Sequence, residues 1–273
     1  MSKTAWTLVV IAALAVFGAL VFYRYRLYVQ QQAPGPVAAA PAPEAPPPAP
    51  PTHYPVPPPP PTAVSQPPSL PTLENSDSSL RASLEQLVGK IAVEKLLNSK
   101  TLIQNLVLTI NSLDHDPVPQ RVRPWQAVPG HPAVHADGGN LTLSADNAQR
   151  YAPYMALVKA IDAKQLAGVY LSNYPLFQQA YRQQGYPDGY FNDRLIAIID
   201  HLLAAPDVQG PIQVVQPKVL YEFADPQLEQ LSWGQKIMIR IGADNEALVK
   251  AKLQAIRAAI VAETPPEPAA ATP

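Results

Sequence analysis

The distribution of proline constrains this chain more than any other feature. Eighteen of its 34 prolines fall between Pro34 and Pro71, five of them consecutive at Pro57–Pro61. Proline fixes φ and removes the backbone donor, so neither helix nor sheet propagates through such a stretch. The expectation for 24–72 is a disordered Pro/Ala-rich spacer. Its 34–71 portion would reach at most about 120 Å as polyproline II at ~3.1 Å per residue. Thr264–Pro273 has a similar composition and is read as a disordered tail. The globular mass then lies in 73–263, long enough for one well-packed domain.

Ahead of the spacer, after a short 1–4 tail, Ala5–Tyr23 reads AWTLVVIAALAVFGALVFY and carries no charge. As a helix it would span roughly 28 Å, close to a bilayer hydrocarbon core. Trp6 and Tyr23 stand near its ends, where aromatic belts occur. A cleaved signal peptide needs small residues after the apolar run, and Tyr23-Arg24-Tyr25-Arg26 is bulky and charged. The expectation is therefore a single-pass signal-anchor, a transmembrane helix over 5–23. Lys3 and the amino terminus nearly balance Arg24 and Arg26, so charge hardly sets the orientation. A long spacer suits a domain held off a membrane, which points to the periplasmic side of a bacterial inner membrane.

Composition excludes several function classes. Residues 73–263 hold 17 Lys and Arg against 19 Asp and Glu, with no block of cations to neutralise phosphates, so no nucleic-acid partner is expected. There is no cysteine, hence no disulfide, thiolate metal site or Cys nucleophile. His131 and His135 stand four apart, but Pro129, Gly130 and Pro132 deny them a helix, so no metal is expected there. No GxSxG elbow, HExxH or phosphate loop is present, and no cofactor or catalytic residue is assigned.

Within the domain, Leu80, Leu84, Leu87 and Ile91 predict one helix, capped by Asp77, Ser78 or Ser79. Leu102 through Leu113 carry a wide apolar stripe and predict a core-facing helix. Residues 117–143, with five prolines and three glycines, predict short strands at Val122, Val134 and Leu141–Leu143. Ser144 is set to cap a helix through Ile161. Tyr170, Tyr174, Phe177 and Tyr181 predict one helix ending near Gly185. A turn at 186–189 leads to a helix over Leu195–Leu203. Residues 212–215 and 219–223 read as a β-pair. Asp225-Pro226 reads as an N-cap with proline at the first helical position, and Ser232 with Gln235 as a capping box. A last helix carries Val249, Leu253, Ile256 and Ile260. The fold class is mainly α with small β-elements, α+β.

Three stretches carry a resemblance: Tyr174–Tyr181, Gly185–Leu195 with Ile199–Leu203, and Tyr221–Pro226. Together they resemble the bacterial family filed as domain of unknown function 3014 (DUF3014), over roughly 73–260. The resemblance implies an envelope protein with an N-terminal membrane helix, a Pro/Ala-rich spacer and one domain. It implies no reaction. Trp233 departs from it, standing where a small residue is expected before Gly234-Gln235-Lys236.

Seven of the twelve tyrosines lie between Tyr151 and Tyr190. They form either core rings with hydroxyls at the edge or an aromatic groove for a glycan or extended peptide. Tyr186, Asp188, Tyr190, Asn192, Asp193 and Arg194 are candidate binding residues, joined by Tyr221, Glu222 and Asp225, because a carboxylate–guanidinium pair beside tyrosines suits a binding cleft. The expected function is a non-enzymatic interaction or scaffold module on a membrane tether, with an envelope protein or cell-wall partner. The alternative is a peptidoglycan-binding protein or hydrolase using carboxylates near Asp193 and Glu222.

Overall fold

The computed structural model describes residues 52–57, 71–97 and 100–268. The apolar run 5–23 and most of the spacer lie outside them. Among the described residues no helix is long and apolar enough to cross a membrane. What is described is mainly helical with a small antiparallel sheet, as the α+β expectation has it.

Strand β1 (Thr52–His53) lies inside the stretch read as spacer. Helices α1 (Ser76–Val88) and α2 (Lys90–Leu96) follow. The apolar spacing predicts one helix here, but Gly89 at φ 87° breaks it, and Ile91 beyond the break is 69% exposed. Asp77 does not cap its own helix. Its Oδ1 accepts from Leu102 N at 2.7 Å and so satisfies a free amide at the start of α3 (Leu102–Asn111).

Val122 belongs to a 3-10 turn, Gln120–Val122, rather than a strand. Pro119 and Pro124 flank it and cannot donate to a ladder. Strands β2 (Val134–Asp137) and β3 (Asn140–Leu143) form a hairpin. Its loop is Gly138-Gly139, at φ 53° and 88°, the paired positive angles a tight two-residue turn requires. Ser144 Oγ accepts from Asp146 N and opens a 3-10 run, Ala145–Tyr151, which passes into α4 (Ala152–Ala160).

The tyrosines expected on one helix occupy two. Helix α5 (Ala163–Ser172) stops at Asn173, and α6 (Tyr174–Gln183) begins there. Pro175 forces the break, because it has no N–H for the Leu171 carbonyl four residues back and its ring would clash with that carbonyl in a continuous helix. Asn173 Nδ2 donates to Val169 O at 2.8 Å, a carbonyl that also takes the Asn173 main-chain amide at 3.3 Å, and so seals the end of α5.

Helix α7 (Phe191–Leu203) is followed by β4 (Gln213–Val215) and β5 (Glu222–Phe223), which extend the hairpin into a sheet of order β2-β3-β4-β5. Asp225 and Ser232 cap α8 (Pro226–Glu229) and α9 (Trp233–Arg240) by accepting from Gln227 N and Gln235 N. The Gln235 side chain, rather than closing a box onto Ser232, donates to His201 O at 3.1 Å. Gly242 at φ 90° turns the chain into α10 (Ala243–Glu263), and β6 (Glu267–Pro268) pairs antiparallel with β1.

The main core gathers α3, α5, α6 and α7 around Leu102, Ile103, Val107, Phe177 and Phe191. A second cluster, Ile198, Leu202, Met238 and Ile241, joins α7 to α9. The sheet packs Val214 and Phe223 onto Ile239 of α9. The tyrosines divide: Tyr170 and Tyr181 of the helical stripe are buried in the core, where Tyr170 meets Phe177 edge-on at 5.3 Å between ring centroids, while Tyr186 and Tyr190 are exposed.

Candidate functional site

The candidate residues fall into two groups. The first surrounds the amino-terminal end of α7. Phe191 is fully buried and anchors that end in the core, with Phe177 stacked on it at 5.8 Å. Gln178 fixes the entry: its Oε1 accepts from Phe191 N at 2.8 Å and its Nε2 donates to Gly189 O at 2.6 Å. Gly189 is required here, because a Cβ would lie 2.9 Å from the Tyr181 ring. Tyr186 stacks on that ring at 4.5 Å and remains exposed, as does Asp188.

The next three residues diverge. Asn192 has no exposed surface, and its Oδ1 accepts from the Tyr170 hydroxyl at 3.1 Å. Its Nδ2 donates to Tyr54 O at 2.9 Å and Thr264 Oγ1 at 3.2 Å. Asp193 meets Tyr54 from its amide side. Its Oδ1 accepts from Tyr54 N and its Oδ2 from the His53 imidazole, both at 2.7 Å. Tyr190 lies against the His53 ring at 4.2 Å.

Arg194 does not pair with Asp193. Its terminal nitrogens grip Asp114 at 2.8 and 2.6 Å, and it also donates to Asn111 Oδ1 and Asn111 O. The guanidinium is thus a brace between α7 and the end of α3. Burial raises the Asp114 carboxyl, but the hydrogen bonds and positive charge of Arg194 outweigh it and hold the group below its ordinary range.

The second group lies beside a separate cleft of about 910 Å3, bounded by the turn after α3, the β4–β5 connection, the end of α8 and the start of α9. Tyr221 and Glu222 line it; Asp225 is instead the cap of α8. Cleft-lining residues that the sequence reading did not single out are His115, Asp116, Arg150, Glu229, Lys236 and Arg240. The Glu229 carboxylate accepts from Lys236 Nζ at 2.8 Å and from Phe223 N at 2.8 Å. Burial raises that carboxyl, and these two contacts lower it more, leaving it depressed. The Arg240 guanidinium lies 4.9 Å from the centre of the Phe223 ring. His201 Nε2 and Ser232 Oγ pair at 2.8 Å.

Trp233 explains the departure from the expected small residue. Its indole is buried in the cleft wall with the Arg123 guanidinium over it at 4.9 Å, while Arg123 donates to Val118 O. This pins the irregular 117–125 segment beside the cleft. Spacing alone gave no signal for that contact, since the two residues are 110 positions apart.

A family model described as "Protein of unknown function (DUF3014)" matches residues 102–257. No curated protein and no solved structure matches the chain.

Proposed function

Since the chain belongs to the DUF3014 family, whose members share no assigned reaction, we propose its function from geometry: a non-enzymatic binding module held on a membrane tether. The anchor is Ala5–Tyr23, the proline-rich stretch is the spacer, and the domain works on the periplasmic side of a bacterial inner membrane. Its ligand-binding face is the cleft beside Tyr221 and Glu222, and its ligand is an envelope partner, a protein or cell-wall strand lying extended across that cleft.

The cleft is the observation that carries this reading. It is large, lined by aromatic and charged side chains, and much of its charge is internally balanced. Asp114 is held by Arg194 and Glu229 by Lys236, which favours holding a ligand over moving protons. Asp193, one of the carboxylates an acid–base mechanism would draw on, has both oxygens occupied by His53 and Tyr54.

The test places a photo-crosslinking amino acid at Tyr221 of the full chain in cells, with Tyr186 as the exposed control. Crosslinks to one reproducible envelope component from 221 and not from 186 support the assignment. Equal capture from both positions, or release of cell-wall fragments by the purified chain, rejects it.

A further inference from the structure

We propose that the amino-terminal end of α7, together with strand β6, is a binding site for an extended peptide carrying tyrosine followed by proline, and that the chain's own His53–Pro57 occupies it.

The recognition is directed at main chain. Asp193 takes the amide of Tyr54 and Asn192 supplies an amide N–H to its carbonyl, so one residue is read from both sides. This fixes the register of the bound segment. Asn192 is fully buried and spends its side chain on three partners, one of which is the segment. Thr52 and His53 pair antiparallel with Pro268 and Glu267 in a two-stranded ribbon separate from the four-stranded sheet. Side chains then select: Tyr190 covers the His53 ring, and Tyr54 packs against the main core. Pro55 biases Tyr54 toward the extended conformation this seat needs.

The position of the segment in the chain argues for a ligand rather than a wall of the fold. The segment meets its seat from 139 positions away in the chain, and it lies outside the region matched by the family, whereas seat residues 190–193 lie inside it and the β6 part of the seat does not. The segment is also embedded in proline-rich sequence on both sides. A short linker of this kind supplies an effective concentration on the order of millimolar, so even a weak peptide stays docked in cis. The seat is therefore a clasp on the tether, released by a competing Tyr-Pro segment.

The test uses the full chain carrying His53→Ala and Tyr54→Ala, and a fluorescent peptide of sequence PPTHYPVPP, residues 50–58. Saturable binding to this vacated chain is expected, with at least ~10-fold weaker binding to the native chain, whose own segment competes. Adding Asp193→Ala should weaken binding roughly 10- to 100-fold, the range for losing hydrogen bonds to a charged group. No saturable binding to a folded vacated chain, or equal binding to the native one, overturns the proposal. Should the vacated chain fail to fold, Asp193→Asn gives a second measurement, hydrogen exchange at the Tyr54 amide, which Asp193 binds in the native chain. Exchange at least ~10-fold faster than in the native chain, with the core amides unchanged, supports a releasable clasp. Exchange that occurs only on global unfolding makes the segment part of the fold and overturns it.

Discussion

Gly234→Ala sets helix propensity directly against packing. In a helix interior, alanine is more favourable than glycine by about 1 kcal/mol. Gly234 lies in the first turn of α9, so propensity alone predicts a small gain. The structure predicts a loss. A Cβ there would lie 2.6 Å from Leu202 Cδ2 and 2.7 Å from Leu113 O. The leucine methyl can rotate, but the carbonyl is main chain and already accepts from Gly234 N at 2.8 Å. Relief requires α9 to move several tenths of an ångström off the turn after α3. That motion strains this hydrogen bond and the adjacent one from Trp233 N to His115 O at 3.1 Å. Two weakened bonds at roughly 1 kcal/mol each, plus about 1–3 kcal/mol of overpacking, less the propensity gain, leave a net cost of about 2–4 kcal/mol.

Calorimetry of the full chain reads this as a Tm lowered by roughly 4–16 °C, at about 2–4 °C per kcal/mol for a domain of this size. Gly168→Ala is the matched control. It sits within α5, has nothing within 4 Å of its added Cβ and is not at positive φ. It should raise stability by about 0.5–1 kcal/mol. A Gly234→Ala chain as stable as the native one, or two glycine variants shifting in the same direction, refutes the claim that close backbone approach fixes this residue.

Arg194→Lys keeps the charge and loses the planar fork, so it should cost about 2–3 kcal/mol in urea unfolding followed by circular dichroism. Because the folded Asp114 value is depressed, the stability this pair adds is complete above the ordinary carboxylate value near ~3.9 and is lost as pH falls through the lower folded value; Asp114→Asn should flatten that acid limb. At high pH the sign reverses. Burial first, and the Asp193 charge second, push Tyr174 up to about 12, so the folded state keeps a proton that the unfolded chain releases near ~10. Stability should fall as pH rises through that window, and Tyr174→Phe should lessen the fall in a pH series of urea unfolding curves.

The helical character of the domain was legible because most of its helices announce themselves locally. Asp225-Pro226 and Ser232 are caps whatever surrounds them, and the stripe from Leu102 to Ile110 fits one face of one helix. The failures come from residues whose effect is conformational rather than apolar. Periodicity runs through Gly89 and Asn173-Tyr174-Pro175 without a pause, yet a left-handed glycine and a proline divide both predicted helices. Asp77 was assigned to its own helix, although its partner is the start of α3, 25 residues on. In the candidate site, Tyr190 to Arg194 read as one polar cluster because they are adjacent. Helical geometry turns consecutive side chains about 100° apart, so Arg194 turns away to Asn111 and Asp114 while Asn192 and Asp193 bracket Tyr54 and otherwise reach Tyr170 and His53.

That divergence also explains why a proline-rich stretch contributes ordered contacts. Proline density argues that 24–72 propagates neither helix nor sheet of its own. It does not exclude docking, which needs only one buried aromatic and a few satisfied main-chain groups on a surface already built. Residues 53–56 meet that condition: Tyr54 enters the core edge, and its amide and carbonyl are taken by Asp193 and Asn192. Pro55 and Pro57 restrict the free chain, so less conformational entropy is lost on docking than for a flexible segment. Low intrinsic order and specific docking are therefore compatible properties of the same sequence.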